Sequence, residues 1–196
     1  QTCKFFSMIQ IEKIEYERKV SYTDGFKLPI KKRPIKISQG YHGPWSHCPF
    51  KMIFPRGEVV TDDTYSVDFE VPFDTEVFAS KEGRIEKINL SEKYYEGSDF
   101  SRGIRTSPSQ IIINHGDNLS LYAHLGTISD EIQQDAHIKK GQLIGKTGKT
   151  GWIGPTPHLH FEVFGPYGYV GTRLSIPCNF EDYNKSLEHS QIGRNS

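Results

Sequence analysis

The sequence of 196 residues lacks several features by which common classes of protein are recognised. Its 24 Lys and Arg residues are balanced by 24 Asp and Glu residues, so no overall electric field favours nucleic acid or an anionic membrane surface. No apolar run approaches the roughly 20 residues that cross a bilayer as a helix, so we expect no membrane span. The cysteines, Cys3, Cys48 and Cys178, form no C-x-x-C pair. They are compatible with one disulfide in any of three pairings, or with three reduced thiols.

Signatures of common catalytic and nucleotide sites are missing as well. The sequence contains neither H-E-x-x-H, the helix-borne zinc protease motif, nor the G-x-S-x-G nucleophile motif. Residues 141–147, GQLIGKT, have three residues between their glycines, whereas a phosphate-binding loop has four, so a glycine-punctuated hairpin is the better interpretation. Thiol catalysis by Cys48 is a weak hypothesis, because a catalytic thiol and its base are usually distant in sequence.

Turn and strand formers are abundant, with 18 Gly, 11 Pro, 10 Tyr and 12 Phe. Short alternating or apolar runs separated by turn residues are typical of β proteins. They predict strands over residues 8–14, 30–37, 65–69, 76–79, 84–88, 110–114, 119–124, 142–146 and 158–164. The Gly-, Pro- and His-rich segment 39–55 and the Ser- and Tyr-rich segment 90–109 are predicted to be loops.

We therefore predict a mainly β protein with a compact antiparallel β-sheet domain over residues 39–180. Residues 1–38 are expected to form a small N-terminal β appendage, and residues 181–196 a polar C-terminal tail.

Two histidines share one face of the predicted strand at 158–164. Residues two apart in a strand point to the same side, so His158 and His160 lie together while Leu159 and Phe161 face the apolar interior. Adjacent imidazoles on a strand are well placed to bind a divalent metal and to transfer protons beside it.

Two further residues fit such a site. Asp68 alternates with the apolar Val67 and Phe69, and a buried aspartate without a partner is costly, so we expect it to have one, with a metal as a natural choice. His124 ends the predicted strand at 119–124. His115, His137 and His189 lie in predicted turns or the tail and are expected to be solvated.

Four blocks, in this order, resemble the LytM-type zinc metallopeptidases, the M23 family of lysostaphin-like endopeptidases: VDFEVPFDTEVFASKEGRI, YAHLGTIS, IKKGQLIGKTGKTG and PTPHLHFEV. The resemblance covers about residues 39–165. It implies a β-sheet groove with a Zn²⁺ ion at its base, in which Asp68 and His160 are metal ligands. It also implies that His124 and His158 are catalytic histidines that do not bind the metal.

The chain departs from the family pattern at the first metal ligand. That ligand usually precedes the aspartate in H-x-x-x-D, but here Thr64 occupies the position, and a hydroxyl is a poor zinc ligand. Either the site is degenerate or a histidine of the segment QGYHGPWSHCP replaces the missing one. We expect His47 rather than His42, because His47 ends the segment and can fold back over the Asp68 strand.

The resemblance implies a zinc-dependent metalloendopeptidase that hydrolyses peptide bonds in peptidoglycan cross-links or stem peptides, exported to the bacterial envelope. The start at Gln1 fits removal of an export signal or trimming of a longer chain. The alternative, favoured by Thr64, is a catalytically degenerate module that binds the cell wall or regulates an amidase, with a regulatory protein partner. A purely structural β-hairpin domain would explain neither Asp68 nor the histidines.

Overall fold

The computed structural model of the chain describes residues 10–13, 18–54, 57–91, 94–95, 108–154, 156–165 and 173–189. These residues form eighteen strands: β1 (Gln10–Lys13), β2 (Thr23–Phe26), β3 (Ile37–Gln39), β4 (Pro49–Phe54), β5 (Gly57–Asp62), β6 (Val67–Glu70), β7 (Glu76–Phe78), β8 (Gly83–Asn89), β9 (Tyr94–Tyr95), β10 (Gln110–Asn114), β11 (Leu119–Ala123), β12 (Leu125–Ile128), β13 (His137–Ile138), β14 (Leu143–Thr147), β15 (Gly151–Trp152), β16 (His158–Phe164), β17 (Arg173–Leu174) and β18 (Cys178–Phe180). Within the same residues, no helix is long and apolar enough to span a membrane.

A seven-stranded sheet is the largest element, with the strand order β13-β8-β10-β11-β16-β6-β3. All of its pairings are antiparallel. A three-stranded sheet (β12-β14-β7) and a four-stranded sheet (β1-β4-β5-β17) accompany it, and two strand pairs, β15-β9 and β18-β2, are parallel. The predicted mainly β, antiparallel architecture is therefore confirmed.

The seven-stranded sheet has two chemically different faces. Leu159, Phe161 and Val163 of β16, and Val67 and Phe69 of β6, belong to the main apolar core. The intervening residues of both strands therefore project from the opposite face. Because burying apolar area is the dominant favourable term in folding, this alternation sets which face of each strand turns inward. It leaves the polar positions of β6 and β16 together on the other face.

Most predicted strands lie within two residues of observed ones, and β10 and β16 match the predicted bounds. Three expectations were wrong. Residues 49–54, predicted as a loop, form β4, which pairs with β5; Pro49 is tolerated because the first residue of a strand need not donate to the ladder. In the predicted strand at 30–37, only Ile37 is in a strand, because Pro34 has no N–H to donate. Within the predicted loop at 90–109, Tyr94–Tyr95 form β9, which pairs with β15; residues 92–93 and 96–107 lie outside the described residues.

Segments on either side of the predicted domain boundaries contribute to the same core. Strand β2 pairs with β18, and Phe26, Leu28 and Ile30 pack in the cluster that contains Phe161. Leu187 belongs to that cluster as well. Residues 1–9 and 190–196 lie outside the described residues. The division into an appendage, a central domain and a tail stays a prediction.

Candidate metal centre

One row of neighbouring positions across the sheet assembles the site. Gln39 on β3 lies opposite Asp68 on β6, and Asp68 lies opposite His160 on β16. Ala123 on β11 is the next position in the row, and His124 follows it directly. Because directly opposed residues have Cβ atoms about 5 Å apart, the antiparallel register brings these sequence-distant side chains within reach of each other.

Three imidazoles surround the carboxylate of Asp68. Its Oδ1 lies 2.9 Å from Nδ1 of His160, 3.3 Å from Nε2 of His47 and 3.7 Å from Nε2 of His158. Burial alone would raise the pKa of Asp68. The neighbouring charges of His47 and His158 and the hydrogen bond from His160 outweigh that effect, so this pKa lies well below its usual value.

A backbone carbonyl sets the protonation state of the His47 ring. Nδ1 lies 2.8 Å from the carbonyl oxygen of Gly40, and because a carbonyl only accepts, Nδ1 carries the hydrogen. In the neutral ring Nε2 therefore has a free lone pair, directed at Asp68. This nitrogen is fully buried and has no hydrogen-bond partner among the described residues. A cation between Nε2 and Asp68 Oδ1 would satisfy both acceptors.

His124 and His158 are held in the same way. Nδ1 of His124 donates to the carbonyl of Thr150, and Nδ1 of His158 donates to the carbonyl of Thr156, both at 2.8 Å. Burial, together with the charges of His158 and His160, lowers the pKa of His124 to about 3. The two ring centroids lie 4.8 Å apart. In its neutral form, each ring would therefore present an unprotonated Nε2 towards the site.

A buried carboxylate lies behind His160. Oε2 of Glu162, which is fully buried, lies 3.9 Å from Nε2 of His160 and 3.0 Å from Nε of Arg173. Burial lowers the pKa of His160, but the hydrogen bonds and charges of Asp68 and Glu162 raise it to about 10. Sequence reasoning missed Glu162, although period-two alternation extends H-x-H to H-x-H-x-E and would have found it.

The remaining histidines lie elsewhere. His42 is exposed; its ring packs edge-on against Tyr65, and its Nε2 lies 4.0 Å from Glu188. His137 is exposed, as expected. The expectation of solvation is wrong for His115, whose Nδ1 donates to the carbonyl of Glu82 at 2.6 Å and whose Nε2 lies 2.8 Å from the Ser120 hydroxyl. It is also wrong for His189, whose Nδ1 is buried and whose ring packs edge-on against Trp45.

Cys178 does not enter the site. Cys178 is buried, and its Sγ lies 3.7 Å from the hydroxyl oxygen of Tyr41. Burial raises the pKa of the Cys178 thiol to about 12, which keeps it protonated and unreactive. Because Cys178 is a free thiol, the alternatives that pair it with Cys3 or Cys48 are wrong; Cys3 lies outside the described residues, so its pairing with Cys48 stays a prediction.

His47, Asp68 and His160 form a donor set suited to zinc. Their ligand atoms, one from each residue, all lie within 4.8 Å of one another. Two imidazole nitrogens and one carboxylate oxygen, with a fourth position left open, form the kind of donor set found in catalytic zinc sites. The orphaned Nε2 of His47 is the strongest local sign of fit, because a metal ion removes the cost of burying that acceptor unpaired.

Comparison with known proteins gives one family and several solved structures. The model of peptidase family M23 matches residues 62–170, more than half of the chain. No match was found among curated proteins. Csd3 from Helicobacter pylori is 21% identical, with a TM-score of 0.50, over 86% of this chain and 36% of that chain.

Two further solved structures are similar. The catalytic domain of a mutant of the prophage-encoded M23 protein EnpA from Enterococcus faecalis is 17% identical over 75% of this chain and 92% of that chain, with a TM-score of 0.49. The antimicrobial peptidase lysostaphin from Staphylococcus simulans is 25% identical over 72% of this chain and 47% of that chain, also at 0.49. This chain thus spans less than two thirds of Csd3 and of lysostaphin.

Proposed function

The chain belongs to peptidase family M23, and from that premise we propose that it is a zinc-dependent endopeptidase of the bacterial envelope. Its substrates in this proposal are peptide bonds of peptidoglycan, in cross-links or stem peptides, which requires export. The observation that carries the proposal is the convergence of His47 and His160 on Asp68, with His124 and His158 beside them.

His47, Asp68 and His160 are the residues that would hold the zinc ion. His47 supplies the imidazole that the family pattern has at the position of Thr64. A bound zinc ion acts as a Lewis acid, which polarises a carbonyl group and acidifies water. The hydrogen bond from Nδ1 of His47 to Gly40 keeps Nε2 available as a donor atom, and Glu162 orients His160 from the opposite side of its ring.

His158 is our candidate for the general base. Its Nδ1–H is engaged by the Thr156 carbonyl, so the free lone pair on Nε2 faces the site, 3.7 Å from Asp68 Oδ1. From there it can accept the proton of the attacking water. Once protonated, Nε2–H becomes a donor that can stabilise negative charge on the carbonyl oxygen or protonate the leaving amine.

His124 is the second catalytic candidate. Its ring contacts that of His158, and both Nδ1 atoms are tied to backbone carbonyls. Two imidazolium charges at this distance repel, so a charge on His158 lowers the pKa of His124. We propose that His124 accepts a hydrogen bond from the attacking water through its Nε2, while His158 accepts and later transfers the proton.

A module without catalytic activity, which binds cell wall or regulates an amidase, remains the alternative. Its support is Thr64, whose backbone N–H donates to Oδ1 of Asp62. We favour the enzyme because His47 brings an imidazole to Asp68 from another segment, and because a binding module has no chemical use for the His124–His158 pair.

The test combines metal content with cleavage. Purified protein is expected to contain one zinc ion per chain by elemental analysis and to release peptides from purified cell walls until a chelator is added. His160→Ala should lose both zinc and cleavage, whereas His158→Ala should retain zinc and lose cleavage. A wild-type protein that neither binds metal nor cleaves would refute the enzyme. One that binds zinc and cell wall without cleavage would favour the binding module.

A further inference from the structure

We propose that Gln39 is a positioning residue that clamps the segment carrying His47 onto Asp68. We call residues 40–48, between β3 and β4, the ligand loop. This inference rests on the proposed zinc site and adds a residue that the sequence patterns did not single out. Gln39 lies directly opposite Asp68 in the sheet, immediately before the ligand loop begins.

The amide of Gln39 is buried and fully engaged. Its Oε1 accepts hydrogen bonds from the backbone N–H groups of Trp45 at 2.9 Å and Ser46 at 3.3 Å. Its Nε2 donates to the Ser46 hydroxyl at 2.9 Å and to Oδ2 of Asp68 at 3.2 Å. Backbone N–H groups can only donate, so the atom that they face is the oxygen, which fixes the amide orientation. With an exposed fraction of 2%, these bonds are shielded from water.

The first consequence concerns Asp68. The carboxylate has two oxygens, and Gln39 holds Oδ2 while Oδ1 faces the three imidazoles. The carboxylate therefore cannot rotate freely, and it presents one defined oxygen to the metal position. Outer hydrogen bonds of this kind hold ligands at the geometry that a metal ion requires.

The second consequence concerns His47, which directly follows Ser46. The ligand loop is anchored at Ser46 by Gln39, and the His47 ring is anchored by the carbonyl of Gly40, the residue after Gln39. In an H-x-x-x-D pattern both ligands share one short segment. Here they come from separate segments, so bringing His47 to Asp68 costs conformational entropy of the ligand loop unless the loop is already ordered. The hydrogen bonds of Gln39 order the loop during folding, before a metal ion binds.

Gly43 shows how closely the loop encloses the clamp. A Cβ atom at this position would lie 2.2 Å from Cγ and 2.9 Å from Oε1 of Gln39. Real Cβ contacts are not this short, so any larger residue would displace the Gln39 side chain. The loop therefore requires glycine there because of Gln39, which makes Gly43→Ala a second, independent way to disturb the clamp.

The decisive variant is Gln39→Met, which has similar length but no hydrogen-bonding groups. Zinc affinity is measured by competition with a chelator of known affinity, and loop order by amide hydrogen exchange of Trp45 and Ser46 in the metal-free protein. We expect affinity to fall by roughly 10- to 100-fold and exchange at both amides to accelerate. Asn118→Leu is the matched control. Asn118 is also 2% exposed, but its amide donates to the Thr23 hydroxyl and not to the ligand loop. This variant should therefore change neither the zinc affinity nor the exchange at Trp45 and Ser46.

Each outcome decides the proposal. An affinity within twofold of wild type in Gln39→Met overturns it, whether or not the loop amides exchange faster. If Gln39→Met does not fold, Gly43→Ala must show both the lower zinc affinity and the faster exchange at Trp45 and Ser46. Unchanged zinc affinity in Gly43→Ala then overturns the clamp. If the wild type binds no zinc, the metal proposal itself fails. The exchange rates of Trp45 and Ser46 then decide the clamp alone, and unchanged rates in Gln39→Met overturn it.

Discussion

His47 can replace a ligand at position 64 because a metal ion responds to the positions of donor atoms, not to sequence spacing. Thr64 stands where the family pattern has an imidazole, but Nε2 of His47 lies 3.3 Å from Asp68 Oδ1. Tetrahedral zinc with bonds of 2.0–2.1 Å separates its ligand atoms by about 3.3 Å. The same centre can therefore be completed from a loop as well as from the Asp68 strand.

Removal of this imidazole gives the first prediction. His47→Ala should weaken zinc binding by more than the roughly 10- to 100-fold that loss of an outer-shell group costs, because it removes a ligand atom. Chelator competition measures the change. His42→Ala is the matched control, since His42 is exposed beside Glu188 and should leave affinity unchanged. Loss of binding in His42→Ala alone would assign the third ligand to the other histidine.

Glu162 gives the second prediction at this scale. Glu162→Gln keeps the shape of the side chain but removes the charge that faces Nε2 of His160. Zinc affinity should fall by about 10- to 100-fold, because the ligand ring loses the carboxylate that orients it. Glu131→Gln, at an exposed position, is the control. Equal affinities for Glu162→Gln and wild type would show that Glu162 serves only the ion pair with Arg173.

Along β16, residues that pack in the core alternate with residues of the candidate metal centre. Its odd-numbered positions from Leu159 to Val163 lie in the main core, and its even-numbered positions carry the polar side chains of the centre. A one-residue slip in register would exchange the two sets, so the apolar residues specify the placement of the polar ones. The apolar packing therefore fixes the register in which His160 lies opposite Asp68.

Loss of the core side of β16 should therefore destabilise the fold strongly. Phe161 is 1% exposed and packs against Tyr122 and Phe180, with ring centroids 5.3 and 5.6 Å away. We expect Phe161→Ala to lower the free energy of unfolding by about 3–5 kcal/mol, measured by urea denaturation. Leu90→Ala, at a position that is 70% exposed, should stay within about 0.5 kcal/mol. A loss below about 1 kcal/mol for Phe161→Ala would contradict the packing.

Among the described residues, strands from the N-terminal and C-terminal parts pair with each other and pack against the middle of the chain. Strand β2 pairs with β18, and Phe26 of β2 packs edge-on against both Phe161 and His115. The ring nitrogens of His115 also form hydrogen bonds with the Glu82 carbonyl and the Ser120 hydroxyl. Burial lowers the pKa of His115 from its ordinary 6.5 to about 4, so the folded protein keeps this ring neutral.

This histidine predicts a pH dependence of global stability. Between pH 6.5 and 4 the unfolded chain protonates His115 and the folded protein does not, so the unfolded state binds more protons. The contribution to stability is therefore complete above pH 6.5 and is lost as the pH falls toward 4. His115→Gln should show a smaller loss over this range in urea denaturation than wild type. An equal loss in both proteins would contradict the assignment.

Local patterns were sufficient for most of the strands and for the faces that β6 and β16 turn inward. Alternation with period two is a property of the extended chain itself, so β10 and β16 could be predicted from their own residues. The hairpin of β4 and β5 was missed, because its proline and aromatic residues are typical of loops until a partner strand pairs with them. Gln39 and Glu162 stayed hidden, since their roles depend on neighbours in other strands.

The choice of His47 over His42 depended on folding of the whole chain. Both imidazoles belong to one short segment, and nothing in that segment distinguishes them as metal ligands. The sheet register and the Gln39 clamp bring one of them to Asp68 and leave the other beside Glu188. Distances between sequence-remote atoms arise from cooperative packing of many strands, which no local pattern contains.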